Sequence, residues 1–451
     1  MLTAPPSGYR PPTARRDLRL SAIEGTSYCV MVGVGQEYFI AFALAIGLGD
    51  VVSGLVGTLP VMVGATLQLA APWVIRRTGS LRRYMTIASA TQAACFVPLL
   101  VAALVGRMPA WALFVTVGAY SAINLGQGPA WSTWITTLMP RRIRARYFAA
   151  RSRMLQGGVL TGLLIGGLLL SREDAGESPA IAFAPLFAIA LLMRATGSYL
   201  LSRHAEPVKM PARLRHVGPR ELLGRARSGA DMTLLAFLMM SNLALQMALP
   251  FFTPFVLEHR GLSYLELTML TGTVIVGKMV AAPTLGKVAH RYGPKRLLWI
   301  GAVGVIPMAP LWLAADSFPT LLLVQFAMGI VLSCFDVGAV LQQFEAIPEH
   351  ERPSVLATFV ALNAIAGFCG SAIGGVLLAG ADLGLGGYGA AFGAAAGARL
   401  LALPLLMRVR PAPREVEPFP GGSVRVEPGA GTTEVPALTQ HEDEPDSITD
   451  A

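Results

Sequence analysis

Glu37, Lys278 and Asp336 stand where an apolar chain should least tolerate them, each near the middle of a long hydrophobic run. A charge at a bilayer centre costs about 3 kcal/mol on insertion scales unless it is paired or faces water. The chemistry open to these three is therefore ion pairing and proton transfer. Lys278 and Asp336 lie in the same half of the chain and could pair. Glu37 has no basic partner on its own segment, and a desolvated carboxyl takes up a proton readily. It is the first candidate for a proton carrier and Asp336 the second. The alternative is that Glu37 pairs with Lys278 across the two halves and stabilises one state. Arg194 and Arg399 also fall within apolar runs, where they could snorkel to an interface or pair structurally.

Polar amides and hydroxyls accompany these charges at helical spacing. Asn124, Gln127, Trp131 and Trp134 recur at i, i+3, i+7 and i+10, one face of a helix. Asn242, Gln246 and Thr253 form a second stripe, Ser333, Asp336 and Gln343 a third, and Gln36 adjoins Glu37. Such amides can line a solute path or hold membrane helices together by mutual hydrogen bonds. Trp134 fits an interfacial anchor.

The elements that must position these groups are membrane helices. The chain is 53% hydrophobic and only 14% charged, with mean hydropathy +0.56, far from the roughly 25% charged residues of soluble domains. The net charge of +9 sits in short clusters between apolar segments rather than on one soluble face, which excludes a nucleic-acid partner. Apolar runs of spanning length begin near Ser21, Val51, Tyr84, Ala110, Met154, Ile181, Met232, Tyr264, Leu297, Phe318, Ser354 and Tyr388, predicting twelve transmembrane helices. Alternate connections carry 26 Lys and Arg, whereas the opposite ones carry only Arg107, Arg172 and Arg260. By the positive-inside bias both termini are cytoplasmic in a cytoplasmic (inner) membrane, with no cleaved leader. The expected organisation is a tail over 1–20, six spans over 21–202, a central loop over 203–231, six spans over 232–410 and a disordered acidic tail over 411–451.

The two halves repeat. The loop GKVAHRYGPKR, Gly286 to Arg296, places Arg291, Gly293 and Arg296 where PWVIRRTGSLRR places Arg77, Gly79 and Arg82, an offset of 214. Pro140, Arg144, Gly162, Gly166 and Gly167 recur as Pro348, Arg352, Gly370, Gly374 and Gly375 at 208, and Gln36 recurs as Gln246 at 210. Internal repeats of this kind mark transporters built from duplicated units.

With its repeated loop, the chain resembles the major facilitator superfamily over about Ser21 to Arg410. The resemblance implies an all-α fold of two pseudo-symmetric six-helix bundles around a central cavity that opens alternately to either side. It places spans 1, 4, 7 and 10 around that cavity, the spans that carry the polar stripes. Glu37, Asp336, Lys278, Gln36, Asn124, Gln127, Trp131, Asn242, Gln246, Ser333 and Gln343 are then the candidates for the solute and proton path. Gly286, His290, Arg291, Gly293, Lys295, Arg296, Arg77 and Gly79 are the candidates for the gating loops. The family's loop acid is replaced by Arg76 and His290, so the usual carboxylate contact to a neighbouring helix end is missing. GVLTGLLIGG from Gly158 resembles an exporter glycine pattern with Leu163 in place of its proline, and also fits simple close packing. NLGQGPA from Asn124 resembles a proton-antiporter motif with Asn124 in place of its arginine.

Other chemistry has no support. There is no GxxxxGK[ST] phosphate loop for ATP, no HExxH, no CxxC, and Cys29, Cys95, Cys334 and Cys369 sit inside apolar runs as free thiols. The sequence predicts a non-enzymatic secondary transporter without cofactor or metal. It is expected to act as a monomer in the lipid bilayer and to move a small organic solute, with protons as coupling ion. A receptor or scaffold of the same fold is the alternative.

Overall fold

A computed structural model describes residues 11–138, 141–171, 179–204, 230–347, 352–380 and 386–409, and these are helical without strands. They form twelve long helical segments: α1 (Arg19–Ala45), α2 (Asp50–Leu67), α3 (Leu81–Val105), α4 (Ala110–Leu138), α5 (Arg141–Leu170), α6 (Ile181–Ser202), α7 (Met232–His259), α8 (Tyr264–Tyr292), α9 (Pro294–Ala314), α10 (Phe318–Ala346), α11 (Arg352–Gly380) and α12 (Gly386–Arg408), of which all but α4 and α5 are, among the described residues, long and apolar enough to cross a membrane. Local chemistry sets their ends. Ser80 caps α3 and Ser317 caps α10, and Ser263 with Glu266 forms a reciprocal capping box at α8. Gly79 and Gly293 take positive φ at the turns before α3 and α9, a conformation that costs glycine little.

Equivalent helices pack equivalently. In the first half α5 crosses α1 so closely that a Cβ at Gly162 would overlap the Val30 carbonyl, and in the second α11 crosses α7 with Gly370 against the Leu243 carbonyl. The glycine stripes are therefore backbone-to-backbone contacts, as small residues allow in membrane helices. Each half also has an aromatic core. Phe42 meets Phe187 edge to face at 4.9 Å in one, and Trp312 meets Phe252 at 4.5 Å and Phe392 at 5.3 Å in the other. Phe183 and Phe187 of α6 recur as Tyr388 and Phe392 of α12, at an offset of 205.

The basic loops lie at one end, called here the basic end. Residues of α1, α2 and α5 meet α7, α8, α11 and α12 toward the other. Tyr38 donates to the Leu163 carbonyl at 2.7 Å and shares a 2.7 Å hydrogen bond with Thr268 of α8. Tyr388 at the start of α12 donates to Asp50 at the start of α2 at 2.6 Å. Gly54 abuts Phe251, and Gly375 abuts Val51. These contacts close the end away from the basic loops.

Candidate functional site

Helix α1 does not run straight through the membrane. A 3₁₀ turn over Gln36–Tyr38, after Gly35, divides its long first part from Phe39–Ala45, and a Cβ at Gly35 would press on Phe96 and Ala190. The break turns two adjacent polar residues in different directions. Gln36 accepts from the Tyr120 hydroxyl at 2.8 Å inside the first bundle. Glu37 is exposed, unlike its neighbours Tyr38 and Phe39, which are buried. Among the described residues it makes no hydrogen bond or ion pair.

Opposite Glu37, Lys278 of α8 pairs with Asp336 of α10 at 3.0 Å. Both side chains keep access to open space, 29% for the lysine and 45% for the aspartate. The pair is thus partly exposed rather than a buried core tie, and its strength depends on what surrounds it. Lys278 also acts electrostatically on the Glu37 carboxyl across the bundle boundary. Two carboxylates, one from each bundle, therefore share the field of one ammonium. Of the two pairings foreseen for Lys278, the bond to Asp336 is present, whereas among the described residues Lys278 forms no ion pair with Glu37.

The α4 stripe goes elsewhere. Gln127 is buried, and its Oε1 accepts from Arg194 of α6 at 2.6 Å and from Ser89 of α3 at 2.9 Å. Arg194 also donates to Gln92 at 2.6 Å and reaches Glu24 of α1 at 3.4 Å, with both charged side chains almost fully buried. Asn124 accepts from Tyr28 at 2.7 Å and from Gln92 at 3.3 Å, and the guanidinium lies 5.0 Å from the Tyr28 ring centroid. This network binds four helices of one bundle through its middle. Trp131 packs with the cluster of Ile75, Tyr84 and Leu201 toward the basic end. In the second bundle Asn242 donates to the Asn363 carbonyl at 2.8 Å, Gln246 lies against Gly367 and Gln343 is half-buried. Ser333 is buried, and among the described residues neither its hydroxyl nor the Gln246 side-chain Oε1 finds a partner.

Sequence reasoning missed Glu24, Gln92, Tyr28, Tyr38, Thr268, Asp50 and Tyr388. Glu24 and Gln92 carried a usable signal, because an unexplained Arg194 in an apolar run demands buried acceptors on neighbouring helices. The interbundle partners carried none, since pairs such as Asp50 and Tyr388 are separated by most of the chain.

The loop residues act at helix ends. Lys295 donates to the carbonyl of Val409 and, at 3.4 Å, to that of Met407, at the C-terminus of α12, and Arg82 reaches the His204 carbonyl after α6 at 3.4 Å. A cation on terminal carbonyls offsets the negative end of a helix dipole. Arg77 stacks on Trp73 at 4.0 Å, and Arg291 and Arg296 flank the Tyr292 ring at 5.4 and 5.9 Å. The side chains of Arg76, Trp134 and His290, and the placement of Gly286 beyond its helical backbone, lie outside the described residues.

At the closed end, α5 and α8 touch through Gly167, where a Cβ would overlap the Thr268 side chain. Gly167→Val should therefore open this end. A disulfide between Val51→Cys and Gly375→Cys, positions in van der Waals reach across the closed end, should form rapidly in the parent and several-fold more slowly with valine at 167. Equal rates would show that this contact does not hold the end shut.

Two helical bundles are duplicated in sequence and packing and carry ionisable groups, Glu37 in one and Lys278 with Asp336 in the other, beside their boundary. The chain has the major facilitator superfamily fold, and residues 232–439 match the family model described as Major Facilitator Superfamily. The D-xylose-proton symporter superposes with TM-score 0.68 at 15% identity, covering 89% of this chain and 97% of that one. A point mutant of the nucleoside transporter NupG gives 0.67 at 14%, covering 87% and 100%. A bacterial homologue of the iron transporter ferroportin, in its inward-facing state, gives 0.67 at 12%, covering 88% and 98%. At such identities the likeness concerns fold alone. No curated protein sequence matches the chain.

Proposed function

We propose that this protein is a secondary active transporter that carries a small organic solute across the cytoplasmic membrane by alternating access, with protons as the coupling ion. Its basic loops and both termini are on the cytoplasmic side, so the arrangement closed at the opposite end is the inward-facing state. The observation that carries the reading is Glu37 without a bonded partner, facing the Lys278–Asp336 pair across the bundle boundary. A carboxyl in low dielectric is stable either protonated or beside a cation. In the inward-facing state Lys278 belongs to Asp336, and Glu37 holds a proton. When the bundles rock, Lys278 can pass from Asp336 to Glu37, and the proton is released or exchanged. The loop cations on the ends of α6 and α12 tie each loop to its own bundle, so the bundles move as units.

The test is a ligand-panel thermal shift on the purified protein, followed by flux of the hits in proteoliposomes under an imposed pH gradient. Solute accumulation that follows the gradient and collapses with a protonophore is expected. Saturable binding with no flux in either direction would instead indicate a receptor.

A further inference from the structure

At the closed end the bundles meet along two seams that the internal repeat makes equivalent. One joins α2 to α11 and α12, the other joins α8 to α5 and α6. At the offsets of 214, 205 and 208 that relate these helices, Asp50 corresponds to Tyr264, Phe183 to Tyr388 and Gly167 to Gly375. The pairing is the same, but its chemistry differs. Across the α2 seam the Tyr388 hydroxyl donates to the Asp50 carboxylate at 2.6 Å, whereas across the α8 seam the Phe183 and Tyr264 rings meet edge to face at 5.5 Å.

The α8 seam is dry and satisfied. Phe183, Tyr38 and Thr268 are 0%, 2% and 1% exposed, the two hydroxyls lie 2.7 Å apart, and Gly167 brings the α5 backbone onto the Thr268 side chain. Among the described residues of α5 and α8, no buried side-chain polar atom lacks a partner. The α2 seam is wet at its rim and unsatisfied within. Asp50 is half-buried beside Gly47 and Gly49, which are exposed and take positive φ, so water can replace the tyrosine on the carboxylate as the two part. Thr58 follows Val51 and Gly54 at i+7 and i+4, and both of those touch the second bundle. It is 3% exposed, and among the described residues its hydroxyl has no partner. Keeping this seam shut leaves that hydroxyl unpaired, a cost that hydration on opening relieves. Among the described residues, Asp50–Tyr388 is the one hydrogen bond that ties α2 to the second bundle. Phe255 at 5.4 Å and Phe392 at 5.8 Å hold the Tyr388 ring from its own side, so Asp50 is the partner that departs.

We infer that the closed end opens on one side: the bundles part along α2 and α12, with the Asp50–Tyr388 bond as the latch, and pivot on the seam of α5 and α8. A solute arriving at that end enters past α2. The inference rests on the alternating-access reading, but its test needs neither solute nor gradient.

The probe is a short bifunctional thiol reagent on the purified full-length protein in detergent, with Cys95 and Cys369, the native thiols that are not buried, replaced by alanine. Each seam carries one cysteine pair. Val51→Cys with Gly375→Cys reports on α2, and Leu160→Cys with Gly272→Cys, in van der Waals reach across α5 and α8, reports on the pivot. Tyr388→Phe keeps the ring and removes only the latch. It should slow cross-linking of the Val51–Gly375 pair several-fold and leave the Leu160–Gly272 rate unchanged. Thr58→Val removes the unpaired hydroxyl at nearly constant shape and should reverse that slowing. If Tyr388→Phe does not fold, Asp50→Ala at the half-buried start of α2 reads the same loss. Equal slowing of both pairs would show that the end opens symmetrically, and an unchanged Val51–Gly375 rate would show that the bond holds nothing. Either result overturns the inference. The expected split in a protein that carries no solute would sink the transport reading and leave the latch standing.

Discussion

Arg194→Leu is expected to cost about 3–5 kcal/mol and to unfold the first bundle at temperatures the parent tolerates. The leucine fills comparable space, so the loss is electrostatic. Glu24 loses its ion-pair partner in a setting where it is 5% exposed, and Gln92 and Gln127 each lose one of the two donors to Oε1, keeping Gln127 Nε2 and Ser89 respectively. The expected cost therefore comes chiefly from the orphaned Glu24 carboxyl, which water cannot reach. This is a large part of the roughly 5–15 kcal/mol that separates folded from unfolded in typical domains. The check is thermal unfolding followed by size-exclusion chromatography in detergent. Adding Glu24→Leu to Arg194→Leu should recover much of the loss, because it removes the orphaned charge. If the double variant is no better than the single one, the arginine acts through packing rather than pairing.

The same network shows which parts of the molecule were legible in the sequence. The twelve spans were readable because each had to bury its own backbone polar groups in apolar surroundings, and a run of about 20 such residues has few alternatives to a spanning helix. The duplication was readable because close crossings admit only glycine, so Gly162 and Gly370 had to recur. The Lys278–Asp336 bond was foreseeable from cost alone, since two opposite charges in one bundle have strong reason to meet. The fate of Asn124 and Gln127 was not. Their spacing specifies a face of α4, and whether that face looks into the central cavity or toward α3 and α6 depends on where Arg194 sits. The break at Gly35 to Tyr38 was equally hidden, because Gln-Glu-Tyr after a glycine is compatible with an unbroken helix. Only packing against Phe96 and Ala190 reveals why Gly35 is needed there. Interbundle bonds such as Tyr38 to Thr268 join the two repeats, and a repeat constrains each copy separately.

Glu37→Gln is expected to abolish accumulation driven by a pH gradient while leaving passive exchange of the solute. Glutamine keeps the size and hydrogen-bonding reach of the protonated acid, so the arrangement with Lys278 on Asp336 should persist. It cannot take the negative charge that would draw Lys278 from Asp336 when the bundles rock, and it has no proton to deliver. One proton moved per solute under a gradient of one pH unit supplies about 1.4 kcal/mol, or about tenfold accumulation. The glutamine variant should equilibrate the same solute to equal concentrations inside and out. Counterflow, in which labelled solute exchanges against unlabelled solute without net proton movement, should continue at a rate of the same order as the parent's. Asp336→Asn offers a contrast. It frees Lys278 in the state where the lysine is bound, so it should shift the resting equilibrium toward the Glu37-paired arrangement, slowing the disulfide between Val51→Cys and Gly375→Cys at the closed end. The two carboxylates thus predict opposite signatures, loss of coupling without a change of resting state for Glu37 and a change of resting state for Asp336. Accumulation at the parent's level in Glu37→Gln would remove this residue from the proton path and leave Asp336 as the remaining acid facing Lys278.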